Sequence, residues 1–239
     1  MGSGSSNEIG SGPRMASRRL RVLYREIHEC DRCLTDPRCE MQPDEERVRR
    51  RVVTRAATSR LFIVGQALGP NTQRRSGMPY MFPNEELSPT GRVLDQFVRR
   101  LGFTIDPSST LPYAYSSDIV QRYPGRAAGG GGDRRPTSRE VANCSEWLDT
   151  ELRIVRPRVV LLLGKPAARY FLRAHGQDGR VDWGEVRHID VGDARATAFV
   201  VYHPAYRRKK PVTVDALYAT VARKARRLLR QEQSRGRPS

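Results

Sequence analysis

Short, unbroken apolar runs limit what this chain can fold into more than any other feature. Leu61-Phe62-Ile63-Val64-Gly65, Val159 to Gly164 and Thr197 to Tyr202 are each too short for a buried helix. They carry no alternating polar face, so each reads as a strand covered on both sides. Tyr113 to Val120 is the fourth strand candidate. Helical patterns lie between them. From Ser88, residues Val93, Leu94, Phe97, Val98 and Leu101 share one face. Thr137-Ser138-Arg139-Glu140 has the form of a capping box that opens a helix bearing Val141, Cys144, Leu148, Leu152 and Val155. Ala167–Ala174 forms a short helix, and a basic amphipathic helix over about Val214 to Arg230 closes the pattern. Continuous apolar strands alternating with helices predict a three-layer α/β/α domain with a central, mainly parallel, four-stranded sheet. In such sheets ligands sit beyond the carboxyl ends of the strands. That rule singles out Gly65-Gln66, the Asp118 region, Gly164-Lys165 and His203.

The expected folded unit is a single domain over residues 15–230. The Gly/Ser-rich residues 1–14 and the polar residues 231–239 are expected to be disordered tails. Lys plus Arg number 43 against 26 Asp plus Glu, a formal net charge of +17. An excess of that size, mostly arginine, points to a polyanionic partner. No stretch is long and apolar enough to span a bilayer, and the first residues lack the apolar segment of a secretory signal. A cytoplasmic protein, acting as a monomer without a membrane partner, is expected. In that reducing compartment Cys30, Cys33, Cys39 and Cys144 are expected as thiols or metal ligands rather than disulfides.

Two segments carry the chemistry. Gly65-Gln66-Ala67-Leu68-Gly69-Pro70 leaves the first strand as a glycine-bounded turn and continues to Gly77-Met78-Pro79-Tyr80. The last strand ends in Tyr202-His203-Pro204-Ala205-Tyr206-Arg207-Arg208-Lys209. A histidine there, fixed by the following proline, can donate a hydrogen bond into a cleft. With Ser117-Asp118, with Pro136-Thr137, Glu140 and Cys144, and with Arg156-Pro157-Arg158-Val159 to Gly164, six motifs in order over roughly residues 20–215 resemble the uracil-DNA glycosylase superfamily. They are most similar to its branch that carries an iron–sulfur cluster. The resemblance implies a repair enzyme that hydrolyses the N-glycosidic bond of uracil or another altered base flipped out of DNA. It implies that Tyr80 stacks on the base and that Gln66 and Ala67 contact it or position water. Asp118 takes the place of a base-reading asparagine, and His203 stabilises charge on the base carbonyl. Tyr206, Arg207, Arg208 and Lys209 contact DNA as a wedge loop.

Three departures from the family pattern matter. The turn carries Gln66 where the family has glutamate, and Pro70 to Ser76 contains no acid. Glu85, Glu86 or Asp118 are the alternatives for a water-activating carboxylate. Second, an ionised Asp118 only accepts hydrogen bonds and suits a base with an amino group, whereas a protonated one mimics asparagine. Ser117 is the other residue that fits this position. Third, Cys30, Cys33 and Cys144 match three of four cluster ligands, and the remaining place holds Gln121 or Arg122. Cys39 is the candidate substitute, which gives a 4Fe–4S site, with zinc the alternative. A DNA-binding protein of this fold with weak or lost catalysis is the competing reading. Trp147 and Trp183 read as packing residues.

Overall fold

The computed structural model describes residues 12–41, 47–129 and 132–230. Most of the expected N-terminal tail and all of the expected C-terminal one lie outside these, as do residues 42–46 and 130–131. The first helix, α1 (Pro13–Glu29), begins two residues inside the stretch expected as tail, with Pro13 in its first turn. A proline is tolerated there because that amide has no intrahelical acceptor. Leu20, Leu23, Tyr24 and Ile27 form its buried stripe. The short α2 (Arg32–Thr35) follows, and an irregular segment then leads to β1 (Leu61–Ala67). The remaining order is α3 (Gln73–Ser76), α4 (Pro89–Arg99), β2 (Tyr115–Val120), α5 (Ser138–Val155), β3 (Val159–Leu163), α6 (Lys165–Ala174), β4 (Val186–Val191), β5 (Ala194–Val201) and α7 (Pro211–Arg230).

The sheet has five strands in the order β2-β1-β3-β5-β4, not the four expected. The four expected strands are parallel to one another, and β4 is antiparallel to β5 at the edge. The hairpin between them turns at Gly192, whose φ of 62° is open to glycine without strain. The apolar-run criterion misses β4 because only Ile189 and Val191 are buried, leaving a polar edge strand.

Each inner strand sends alternate side chains to opposite faces. Phe62, Val64, Val160 and Leu162 pack under α1, α5 and α6, while Leu61, Ile63, Val159 and Leu161 pack under α4 and α7. The three-layer α/β/α architecture therefore stands. The capping box is formed in full, Thr137 accepting from the Glu140 amide and Glu140 accepting from the Thr137 amide. Ser88 caps α4 by accepting from Gly91.

Candidate active site

A cleft of about 970 Å³ opens beyond the carboxyl ends of β1, β2, β3 and β5. Gln66, Ala67, Tyr80, Asp118, Gly164, His203 and Tyr206 line it, so residues spread over 140 positions of sequence meet in one place.

The alternation of β2 decides between Ser117 and Asp118. Asp118 faces the cleft. Ser117 faces the other way, its hydroxyl donating to Glu151 on α5 and accepting from Gln121 Nε2 at 2.8 Å. Asp118 is 8% exposed and lies over Gly65, its register partner on β1. Burial pushes its carboxyl up to about 7, with Glu151 adding to the effect and Arg50 opposing it. Arg122 does not pair with it; its guanidinium donates to the carbonyl of Cys30. Arg50 lies behind the sheet in a buried ion pair with Glu151 at 2.6 Å, its guanidinium 4.5 Å from the Tyr24 ring centroid. Tyr115 donates to the same carboxylate at 2.7 Å. Arg50 and Glu151 are 101 positions apart, which hid this network from sequence reading.

Tyr80 has a φ of 60°, a left-handed conformation that is uncommon for a non-glycine residue. Its carbonyl accepts from the Ser88 amide at 2.8 Å. The first turn of α4 also presses on it, since a Cβ at Gly91 would stand 2.6 Å from the Tyr80 carbonyl oxygen. Backbone held this way is typical of residues aimed by their surroundings. Its hydroxyl reaches the Gly65–Asp118 contact, and burial together with Asp118 raises its pKa.

His203 stands at the N-terminus of a 3-10 turn, Pro204–Arg208. Its Nδ1 accepts from the Ala205 amide at 3.3 Å. Burial holds its pKa down to about 4, so at neutral pH the ring is uncharged. With Nδ1 an acceptor, the single proton belongs on Nε2, which leaves a neutral N–H donor. Tyr218 of α7 anchors this corner by donating to the Tyr202 carbonyl at 2.8 Å.

The expected DNA-contact residues divide. Tyr206, Arg208 and Lys209 are exposed. Arg207 instead makes a two-point ion pair with Asp215 at 2.9 Å on each arm, which ties the turn to α7. Of the three alternative carboxylates, only Asp118 lines the cleft. Glu85 is paired with Arg51 at 2.7 Å, and neither it nor Glu86 lines the cavity. Lys165, which the strand-end rule singled out, lines the cleft as well, and so does Trp183, which was expected only to pack; the ammonium of Lys165 lies 5.3 Å from the Trp183 ring centroid.

The four cysteines are all free, and Cys33, Cys39 and Cys144 are in mutual hydrogen-bond contact through Cys33. Asn143 Nδ2 reaches the sulfurs of Cys33 and Cys39 at 3.6 and 3.5 Å. Cys30 acts electrostatically on Cys144. Four thiols gathered from α2, its flanks and α5 suit a four-thiolate group in donor chemistry. Among the described residues, no three His, Cys, Asp or Glu side chains are arranged to hold a metal ion. The place of the missing family ligand is taken up in a different way: Arg122 holds the Cys30 carbonyl, and the Gln121 backbone hydrogen-bonds to Cys144.

Fold and cleft together define an α/β protein whose site is built at the carboxyl ends of parallel strands. The family model described as the uracil DNA glycosylase superfamily matches residues 53–225, and the chain belongs to that superfamily. A type-5 uracil-DNA glycosylase of Pyrobaculum aerophilum is 43% identical over 72 residues, 30% of each chain. A type-4 uracil-DNA glycosylase of Archaeoglobus fulgidus is 30% identical over 77 residues, 30% of this chain and 38% of that one. The alignments thus span about a third of these relatives' lengths. Wild-type Pedobacter heparinus SMUG2, known from a crystal structure, is 13% identical with a TM-score of 0.43, covering 74% of this chain and 77% of that one. No helix among the described residues is long and apolar enough to cross a membrane.

Proposed function

We propose that the protein is a monofunctional DNA glycosylase that hydrolyses the N-glycosidic bond of a deaminated base, uracil first, extruded from DNA into this cleft. The observation that carries the reading is the convergence of a buried carboxyl, a neutral imidazole donor and a conformationally fixed tyrosine on one cleft. Tyr80 stacks on the flipped base. Protonated Asp118 donates to uracil O4 and accepts from N3–H, as an asparagine amide would. As the glycosidic bond breaks, its electron pair goes to the base, and the sugar becomes oxocarbenium-like. The His203 Nε2–H donates to the base carbonyl oxygen where that charge collects. Water, oriented by Gln66, adds to the sugar carbon and gives up a proton that goes to the departing base anion, so the products are the free base and an abasic site. Because dissociation leads, a strong base is not required of Gln66. Tyr206, Arg208 and Lys209 hold the DNA, in keeping with the net charge of +17.

Cys30, Cys33, Cys39 and Cys144 would hold an iron–sulfur cluster, which would tie the segment after α1 to α5 without entering the chemistry. The protein is proposed to act in the cytoplasm as a monomer.

One observation favours a second reading, a DNA-binding protein without effective catalysis. The turn after β1 has no carboxylate, and Glu85 and Glu86 lie outside the cleft. A panel of single- and double-stranded oligonucleotides, each with one altered base, separates the two. Alkali-labile abasic sites on the uracil substrate are expected. Binding without such sites on any substrate would establish the second reading instead.

A further inference from the structure

Beside His203 at the mouth of the cleft, three aromatic rings form a pile. Trp183 and Tyr202 stack with centroids 4.0 Å apart and planes inclined by 27°. Tyr206 continues the pile, 5.9 Å from Tyr202 and inclined by 29°. Lys165 lies over Trp183, and Tyr206 at the other end is 49% exposed. Trp183 is held in place by its turn, where the Gly184 amide donates to the Val200 carbonyl at 2.8 Å. Trp183 and Tyr202 pack partly against the core, but the pile continues to Tyr206, a half-exposed ring at the rim of the cleft that the core does not cover. The same cleft is lined by Lys165, Arg135 and Arg169. At about 970 Å³ it reaches the upper end of the ~300–1,000 Å³ range of small-molecule pockets.

We infer that the Trp183–Tyr202–Tyr206 pile is a stacking platform for an unpaired base next to the extruded nucleotide, so that the protein grips single-stranded DNA in preference to duplex. Aromatic rings beside cations are the elements that hold single strands, because every base offers a π-face and every link a phosphate. A base inside a duplex has both faces already stacked and cannot lie on Tyr206 unless its pair opens. Tyr206 was expected to touch DNA as part of a wedge; Trp183, Tyr202 and Lys165 were not, and the pile makes them one surface with it. The inference rests on the DNA-binding half of the reading above and not on excision.

The test uses the full chain and DNA without any altered base. The two tryptophans are Trp147 and Trp183. Trp147 lies buried on α5 beneath Arg32, away from the cleft, so Trp147→Phe leaves Trp183 as the reporter. Titration with oligo-dT should change the emission of that variant, and a labelled oligo-dT should bind at least tenfold more tightly than a duplex of equal length at one salt concentration. Tyr206→Ala should weaken oligo-dT binding about ten- to a hundredfold, and Tyr206→Phe should retain it. Unmoved emission at saturation, equal affinity for duplex and single strand, or Tyr206→Ala binding like wild type would each overturn the platform. Excision of uracil is measured separately, so loss of the platform leaves the glycosylase reading standing, and the converse also holds.

Discussion

The Asp118 carboxylate rests on the α-carbon of Gly65, its partner across the parallel β1–β2 ladder, and a methyl group there would overlap Oδ1. A residue that looks like an ordinary turn glycine is therefore the floor of the carboxylate's site. Gly65 has no positive φ, so alanine fits its backbone. Gly65→Ala should displace Asp118 with little change in the strand. Misplacement by about 1 Å can cost roughly a hundredfold in rate. Single-turnover excision of uracil by Gly65→Ala should fall by about that much, with a stability loss of about 1–3 kcal/mol from overpacking. Wild-type excision in this variant would show that the contact does not position Asp118 for the reaction.

His203 offers a second handle. Loss of one donor of the oxyanion type costs about 10²–10³ in rate. His203→Ala should lower single-turnover excision by that factor and leave DNA affinity nearly intact, since the donor acts where charge develops and not on the backbone. With its pKa near 4, the imidazole should add no break to the rate profile between about pH 5 and 9. Excision at the wild-type rate would remove His203 from the mechanism.

Much of this was legible in the sequence because the signals were local. Three of the four parallel strands are continuous apolar runs, and the carboxyl ends of the strands locate the cleft through topology alone. The capping box at Thr137 and Glu140 is formed as read. The features that stayed hidden depend on distant pairing or on which way a side chain faces. β4 is a polar edge strand, legible only once β5 is beside it. Ser117 and Asp118 are adjacent, so only the phase of the strand assigns one to the α5 network and the other to the cleft. Glu85 follows Tyr80 closely in sequence, yet it lies outside the cleft and pairs with Arg51. Trp183 read as packing, because nothing in its own segment announces Tyr202 and Tyr206 beside it.

The cysteine set makes its own prediction. Isolated without oxygen, the protein should be brown and contain about four irons per chain, the content of a four-thiolate 4Fe–4S site. Cys39→Ser should lose most of that iron, because Arg122 and Gln121 leave no thiol at the third ligand place of the family pattern. Stoichiometric zinc without iron would replace the cluster with a structural zinc. Full iron in Cys39→Ser would place the fourth ligand elsewhere.

If Asp118 reads the base as proposed, it links recognition to stability through one proton. Its carboxyl lies at about 7 in the folded protein against an ordinary 3.8, so the folded state holds the proton more tightly than the unfolded chain. That contribution to stability is fully present below about pH 3.8 and is lost as pH rises through about 7. The slope over this window approaches about 1.4 kcal/mol per pH unit for one proton. Asp118→Asn carries no such proton. Its stability relative to wild type should rise between about pH 4 and 7 and level off above, as urea midpoints across pH will show. On the proposed reading the same ionisation also sets base recognition, because a protonated Asp118 would pair with uracil, whereas the carboxylate would face uracil O4 with two acceptors and suit an amino group instead. Wild-type excision of uracil should therefore decline as pH rises through about 7, and Asp118→Asn should flatten that profile. At pH 8 the variant should favour uracil over cytosine more than wild type does, by roughly 1–3 kcal/mol, the cost of one unmatched buried polar group. Single-turnover rates on both bases across pH decide the matter. Superimposable profiles with unchanged base preference would mean that Asp118 does not read the base, even if the stability difference appears as expected.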